Sequence, residues 1–240
     1  MGHLEQIIGI IALSMGAAWA SGINLYATIL VLGILGNTGD IILPVDLEIL
    51  THPMVIGAAG LMYLVEFFTD KIPGVDTGWD ALHTFIRVPA GALLAAGAVG
   101  EMNPALALAA AIVGGGLAAG AHAGKAGSRV LINTSPEPVT NWIASIGEDI
   151  VVIAGLWTAM NYPMVFIGFL IVFLILLIWL LPKIWKGIKT VVNKISTLFS
   201  NRKPSRQISL ENASTFAEKR TGNQQLIEPL SQEKPHVAHD

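Results

Sequence analysis

MVFIGFLIVFLILLIWLL, residues 164–181, runs for eighteen positions without a charged or strongly polar side chain. Coiled as a helix at ~1.5 Å per residue it is about 27 Å long, close to the ~30 Å hydrocarbon core of a bilayer. This stretch decides the fold class, because so long an uncharged run reads as a membrane helix. The rest of the chain agrees. Hydrophobic residues make up 53% of the 240 and charged residues 13%, against about 25% charged in soluble domains. There is no cysteine and the net charge is −3, which excludes a disulfide-stapled scaffold and offers no basic footprint for nucleic acid.

The charge changes sign where that run ends. Up to Pro182 there are four basic residues (Lys71, Arg87, Lys125, Arg129) and twelve acidic; from Lys183 onward there are ten basic and five acidic. By the positive-inside rule the C-terminal end is expected in the cytoplasm. Residues 183–200 alternate Ile184, Ile188, Val192 and Ile195 with Lys183, Lys186, Lys189 and Lys194, the pattern of a basic amphipathic helix lying on anionic lipid. Residues 201–240 lose all periodicity and read as a disordered cytoplasmic tail.

Residues 1–182 are expected to form an all-α polytopic bundle of about six transmembrane helices. Ile7 to Leu35 reads as one long tilted or broken helix with its weak point at Ser21-Gly22, or as a re-entrant pair. Gly36 to Pro53 reads as an outside loop, and Met54 to Asp70 as the second span. The third begins at Thr77, where Thr77-x-x-Asp80 has capping-box spacing, and runs to about Gly100. Pro104 to Leu131, Pro136 to Asn161 and the run ending near Pro182 complete the six. Counting back from a cytoplasmic C-terminus puts all four early basic residues near inside turns. No basic n-region or cleavage site marks a signal peptide.

Ionisable groups in a bilayer are costly and face a bundle interior or a wet cavity, so their positions carry the functional reading. Ser21, Asn24 and Thr28 share a face of the first helix, and Glu66 and Asp70 a face of the second. Asp80, His83, Thr84 and Arg87 line the third, His122, Lys125 and Arg129 the fourth, and Asn141, Ser145 and Glu148 the fifth, with Asp149 beside them. The sixth has no polar side. The candidate ion or solute pathway is therefore Asn24, Glu66, Asp70, Asp80, His83, Arg87, His122, Lys125, Arg129, Glu148 and Asp149, an acid-rich set suited to attracting cations or holding protons.

Each group also has a plain structural reading. Lys71, Lys125, Arg129 and Asp70 lie near helix ends, from which they can snorkel. Glu66 with Arg87, or Arg129 with Asp149, can be ion pairs that hold register. His83 and His122 can be hydrogen-bonded packing residues, and Asp76 and Asp80 can cap a turn. Glu148-Asp149, two adjacent carboxylates deep in an apolar helix, resist such an account most. No HExxH, GxSxG or Walker signature occurs. A divalent metal held by Glu66, Asp70, Asp80, His83 and His122 stays open, and no other cofactor is expected. Gly116, Gly120 and Gly124 repeat every four residues, a seam at which another helix can approach closely.

The strings ASGINLYAT (20–28), YLVEFFTDKIPGVDTGWDALHTFIRVPAGALLA (63–95), AHAGKAGSRVLINTSPEPVTNW (121–142) and GED (147–149) resemble a bacterial integral-membrane family known as domain of unknown function 4126. The likeness covers roughly residues 5–160 and leaves the last span and the tail outside. It implies a multi-helix membrane protein of the bacterial envelope and carries no activity with it; the cytoplasmic C-terminal end makes the inner membrane the expected location. Met54 to Gly100 and Pro104 to Asn161 further read as a duplicated helix-turn-helix unit, an arrangement used by transporters.

Three functions follow from these readings. The first is transport or channel-like movement of a small ion or solute, coupled to protonation of Glu148, Asp149 or Glu66. The second is a non-catalytic membrane scaffold, with the bilayer and cytoplasmic proteins as partners. The third is an enzyme acting on lipid headgroups, with Arg87, Lys125 and Arg129 holding phosphate. A homo-oligomer stays open under all three.

Overall fold

The computed structural model describes residues 2–72, 74–100, 103–133 and 138–200. It divides into two compact units, Met1–Val191 and Val192–Asp240. The first holds the bundle and the polar cluster described below, and the tail at 201–240 lies outside the described residues. The described residues are helical, without strands: α1 (Gly2–Ile23), α2 (Leu25–Thr38), a 3-10 helix (Val45–Thr51), α3 (Pro53–Thr69), α4 (Val75–Val99), α5 (Pro104–Ile132), α6 (Pro138–Asn161) and α7 (Pro163–Ser200). Five of them (α1, α4, α5, α6 and α7) are long and apolar enough to cross a bilayer. A sixth span results if the 3-10 helix and α3, bent by 67° at their junction, are taken together.

Burial is inverted relative to a soluble domain. Glu66, Asp76, Asp80, Arg87 and Arg129 are 0% exposed, whereas Phe85, Leu93, Ile112 and Ile178 are 68–82% exposed. Apolar side chains facing outward over most of the surface, with charges sealed inside, match a lipid solvent. This is a polytopic helix bundle of the membrane type.

The first hydrophobic segment is broken, at Asn24 rather than at Ser21-Gly22. Asn24 leaves the helix at φ −144°, ψ 99°, and its Oδ1 accepts from the Ala27 amide, so it acts as the N-cap of α2. Gly22 has a different task, lying so close to Ala118 of α5 that a Cβ there would strike its backbone. Asn24→Ala removes a cap worth about 1 kcal/mol and is expected to lower the unfolding temperature in detergent, with the loss read by circular dichroism.

Small residues draw α1, α4 and α5 together. Ala18 and Ser21 of α1 meet Gly91 of α4, and Gly114 of α5 sits against Ala95 of α4. On its other side α1 presents Trp19, fully buried, to Gly155 of α6 and, edge-on at 5.3–5.9 Å, to Phe166, Phe169 and Phe173 of α7. The glycine seam expected at Gly116, Gly120 and Gly124 is only partly used. Nothing approaches Gly116, and Leu177 of α7 covers the other two with a side chain, not a helix backbone.

Several boundaries differ from expectation. The segment expected as an outside loop contains the 3-10 helix, whose Leu47 and Leu50 are buried against Gly97 of α4 and Gly33 of α2. α4 starts at Val75 behind Gly74, so the Thr77-x-x-Asp80 box does not form. Asp76 Oδ1 instead accepts from the Gly74 and Thr77 amides, while the Asp80 carboxylate is spent elsewhere. Residues 183–200 continue α7 without interruption through Pro182 rather than opening a separate helix. α4 packs more extensively on α5 than on α3, so the two helix-turn-helix units share a seam instead of standing as separate hairpins.

Candidate functional site

The polar faces of the helices meet at one level of the bundle. Tyr63, Glu66 and Asp70 lie at i, i+3, i+7 toward the C-terminal end of α3, and His122, Lys125 and Arg129 toward the C-terminal end of α5. Asp76, Asp80, His83 and Arg87 occupy the first half of α4, and Asn141, Ser145, Glu148 and Asp149 the first half of α6. Alternating chain direction brings these four stretches side by side.

Three buried cations organise the cluster, each bridging helices. Arg87 donates to Glu66 of α3 at 2.5 Å and to Asp80 on its own helix at 3.0 Å. Lys125 donates to Glu66 at 3.2 Å and Asp70 at 2.8 Å, and lies 3.6 Å from Glu148. Arg129 grips Glu148 with two bonds, Nε to Oε1 at 3.2 Å and Nη2 to Oε2 at 2.7 Å. Its Nη1 donates to Asn141 Oδ1 at 2.5 Å and to the Asp70 carbonyl at 3.1 Å. Lys125, Arg129 and Asp70 are thus sealed in the network and do not snorkel. Lys71 is also turned inward. Its ammonium lies 2.9 Å from the Phe67 ring centroid and reaches Ser145 Oγ at 3.4 Å, and burial lowers its pKa from the usual lysine value.

The two histidines belong to hydrogen-bond chains. Arg87 Nη1 can only donate, so His122 Nδ1, 3.2 Å away, accepts. His122 Nε2 then donates to Thr84 Oγ1 at 2.7 Å, which donates to the Asp80 carbonyl at 3.1 Å. His83 Nδ1 donates to the Trp79 carbonyl at 2.9 Å, leaving Nε2 to accept from the Tyr26 hydroxyl at 3.0 Å. Among the described residues, no three His, Asp or Glu side chains converge as a set able to hold a metal ion.

Asp149 stands apart. Of the two expected ion pairs Glu66–Arg87 forms, but Arg129 takes Glu148 rather than Asp149, because Glu148 and not its neighbour lies on the α6 face turned to α5. The adjacent carboxylates therefore do different things. Glu148 is locked by a guanidinium, whereas Asp149, 8% exposed, makes no ion pair among the described residues. Its Oδ1 accepts from Asn24 Nδ2 at 2.9 Å, and the Tyr63 hydroxyl is placed to donate to it as well. One side chain, Asn24, therefore caps α2 with its oxygen and holds Asp149 with its nitrogen.

The cluster contains more acid than base. Six carboxylates (Glu66, Asp70, Asp76, Asp80, Glu148, Asp149) share four cations (Lys71, Arg87, Lys125, Arg129). One oxygen on each of Glu66, Asp70, Asp76, Asp80 and Asp149 is buried without a hydrogen-bond partner. Such oxygens are expensive to bury, and a proton, a cation or water would satisfy them. The reading as a lipid-headgroup enzyme needed Arg87, Lys125 and Arg129 free for phosphate, and each is held by carboxylates.

Ten of the eleven expected site residues meet in this cluster, and His83, on the same face of α4, is bonded to Tyr26 and the Trp79 carbonyl instead. Missed were Asp76, Asn133, Tyr26 and Tyr63. Asn133, in the turn after α5, donates to Asp76 Oδ1 at 2.7 Å and to Thr77 at 2.8 Å. Tyr63 was findable, being three residues before Glu66 on the same face. Tyr26, beyond the break, was not.

The bundle and its internal charge network define a polytopic membrane-type helical protein with an acid-rich polar centre. The chain belongs to the family described as domain of unknown function (DUF4126), whose model matches residues 11–183. The match takes in the last span, which the sequence resemblance had left outside, and excludes the basic segment and tail. No curated protein and no solved structure matches the chain.

Proposed function

We propose that the protein is a transport or channel-like protein of the bacterial inner membrane, C-terminus cytoplasmic, which moves a small cation or solute with a proton carried on Asp149. One observation carries this reading: an acid-rich cluster with five unpartnered carboxylate oxygens, sealed inside apolar helices and touching a helix break. Broken helices next to ionisable groups are the usual form of a transporter's midplane site. Asp149 is the proton carrier because, among the described residues, no cation stands within ion-pair distance of it, so its charge can change without breaking an ion pair. Asn24 couples that change to the α1–α2 junction.

The test is flux into liposomes loaded with a pH-sensitive dye, across monovalent, divalent and anionic solutes. Asp149→Asn is isosteric and leaves every ion pair intact, so it is expected to fold normally and lose flux at least tenfold. The double variant Glu148→Gln/Asp149→Asn also loses flux, but releases Arg129 and loses stability as well. A folded Asp149→Asn protein with undiminished flux would remove Asp149 from the pathway.

A second reading, the scaffold, draws on a different observation: Arg87, Lys125 and Arg129 each tie at least two helices together. It requires no flux with any solute, and Asp149→Asn to affect only stability.

A further inference from the structure

We infer that the groove between α4, α5 and α7 is a binding site for one anionic phospholipid, with an acyl chain in the groove and the phosphate at Lys186 and Lys189. This site is separate from the charge cluster and independent of the transport reading. The groove has a volume of about 690 Å³ and is lined by Ala123, Ala126 and Gly127 of α5 and by Ile178, Trp185 and Ile188 of α7, among others. That size falls within the ~300–1,000 Å³ of small-molecule sites.

Its origin is in the sequence. α5 presents mostly alanine and glycine here (Ala123, Ala126 and Gly127, beside Val130), while α7 presents bulky side chains, so the helices meet at points and leave space between them. One such point is Gly127, where Ile184 occupies the place a Cβ would need. A space lined by methyl and methylene groups and open to the exterior suits a hydrocarbon chain.

Charge complementarity selects the headgroup. Lys189 follows Trp185 by four residues and Pro182 by seven, which puts it on the groove-lining face of α7. Its ammonium lies 5.4 Å from the ring centroid of Trp185, itself part of the lining. Lys186 is exposed at the flank of that face. An aromatic ring with two lysines just past the end of the apolar run is the arrangement expected where a phosphate group sits above its chain.

The full-length protein would be equilibrated with mixed micelles containing equal amounts of phosphatidylglycerol and phosphatidylcholine, and retained lipids counted by native mass spectrometry. Wild type is expected to keep one phosphatidylglycerol in preference. Lys186→Gln/Lys189→Gln, two exposed changes that leave the helix intact, is expected to lower phosphatidylglycerol retention about thirtyfold while leaving phosphatidylcholine retention unchanged. Ala126→Phe, which fills the groove, is expected to lower retention of both lipids. Equal retention of the two lipids by wild type would overturn the inference. So would phosphatidylglycerol retention indifferent to the lysine pair, which would leave the groove to a second copy of the chain.

Discussion

Arg87→Met is expected to destabilise the protein by about 3–5 kcal/mol, the cost of removing one partner from a buried ion pair. Glu66 and Asp80 are both 0% exposed and both rely on this guanidinium. Without it Glu66 keeps only Lys125, and His122 Nδ1 loses its donor. The penalty belongs to stranded charge, not to lost volume. Adding Glu66→Gln and Asp80→Asn to the Arg87→Met protein should therefore recover most of it, since a neutral buried set is often as stable as the ion pairs it replaces. Chemical unfolding in detergent, followed by circular dichroism, measures both variants. No recovery in the triple variant would mean that Arg87 acts through shape rather than charge.

Gly22→Val is expected to cost about 1–3 kcal/mol, the range for overpacking a well-filled interior, and to sit at the top of it. A Cβ at Gly22 would lie 2.9 Å from both Ala118 Cα and Ala121 Cβ, and closer still to the Ala118 carbonyl. Backbone atoms of α5 cannot rotate aside as a side chain can, so the two helices must separate. Asn24 stands two residues on, and a shift of α1 also disturbs its bond to Asp149. Gly116→Val is the control: nothing lies within 4 Å of that position, and the change should stay within about 0.5 kcal/mol of wild type. From sequence spacing alone Gly116 looked the more sensitive of the two.

That reversal shows where single-chain reading stops. A repeat of glycines every four residues identifies a face of α5, but what that face meets depends on how α5 is rotated against α1, α4 and α7. Asp149 is a parallel case. Its place next to Glu148 marked both as unusual, and nothing in one helix could tell which of the two Arg129 would take.

What the sequence determined by itself is the part set by local periodicity and by transfer from water. Residues 164–181 require a membrane-length helix, and the spacing of Glu66 with Asp70, of Asp80 with Arg87, and of Lys125 with Arg129 gives three helices a polar side. Those sides have to face one another, because lipid cannot solvate them. Tertiary structure decided the partners: Arg129 with Glu148, Asn24 with Asp149, and the 3-10 helix over Gly33 and Gly97. Ion pairs and hydrogen bonds depend on ångström-scale rotation and axial offset between helices. Contacts such as Gly22 on Ala118 and Ser21 on Gly91 set those offsets, and they join residues some 70 to 100 positions apart in the chain.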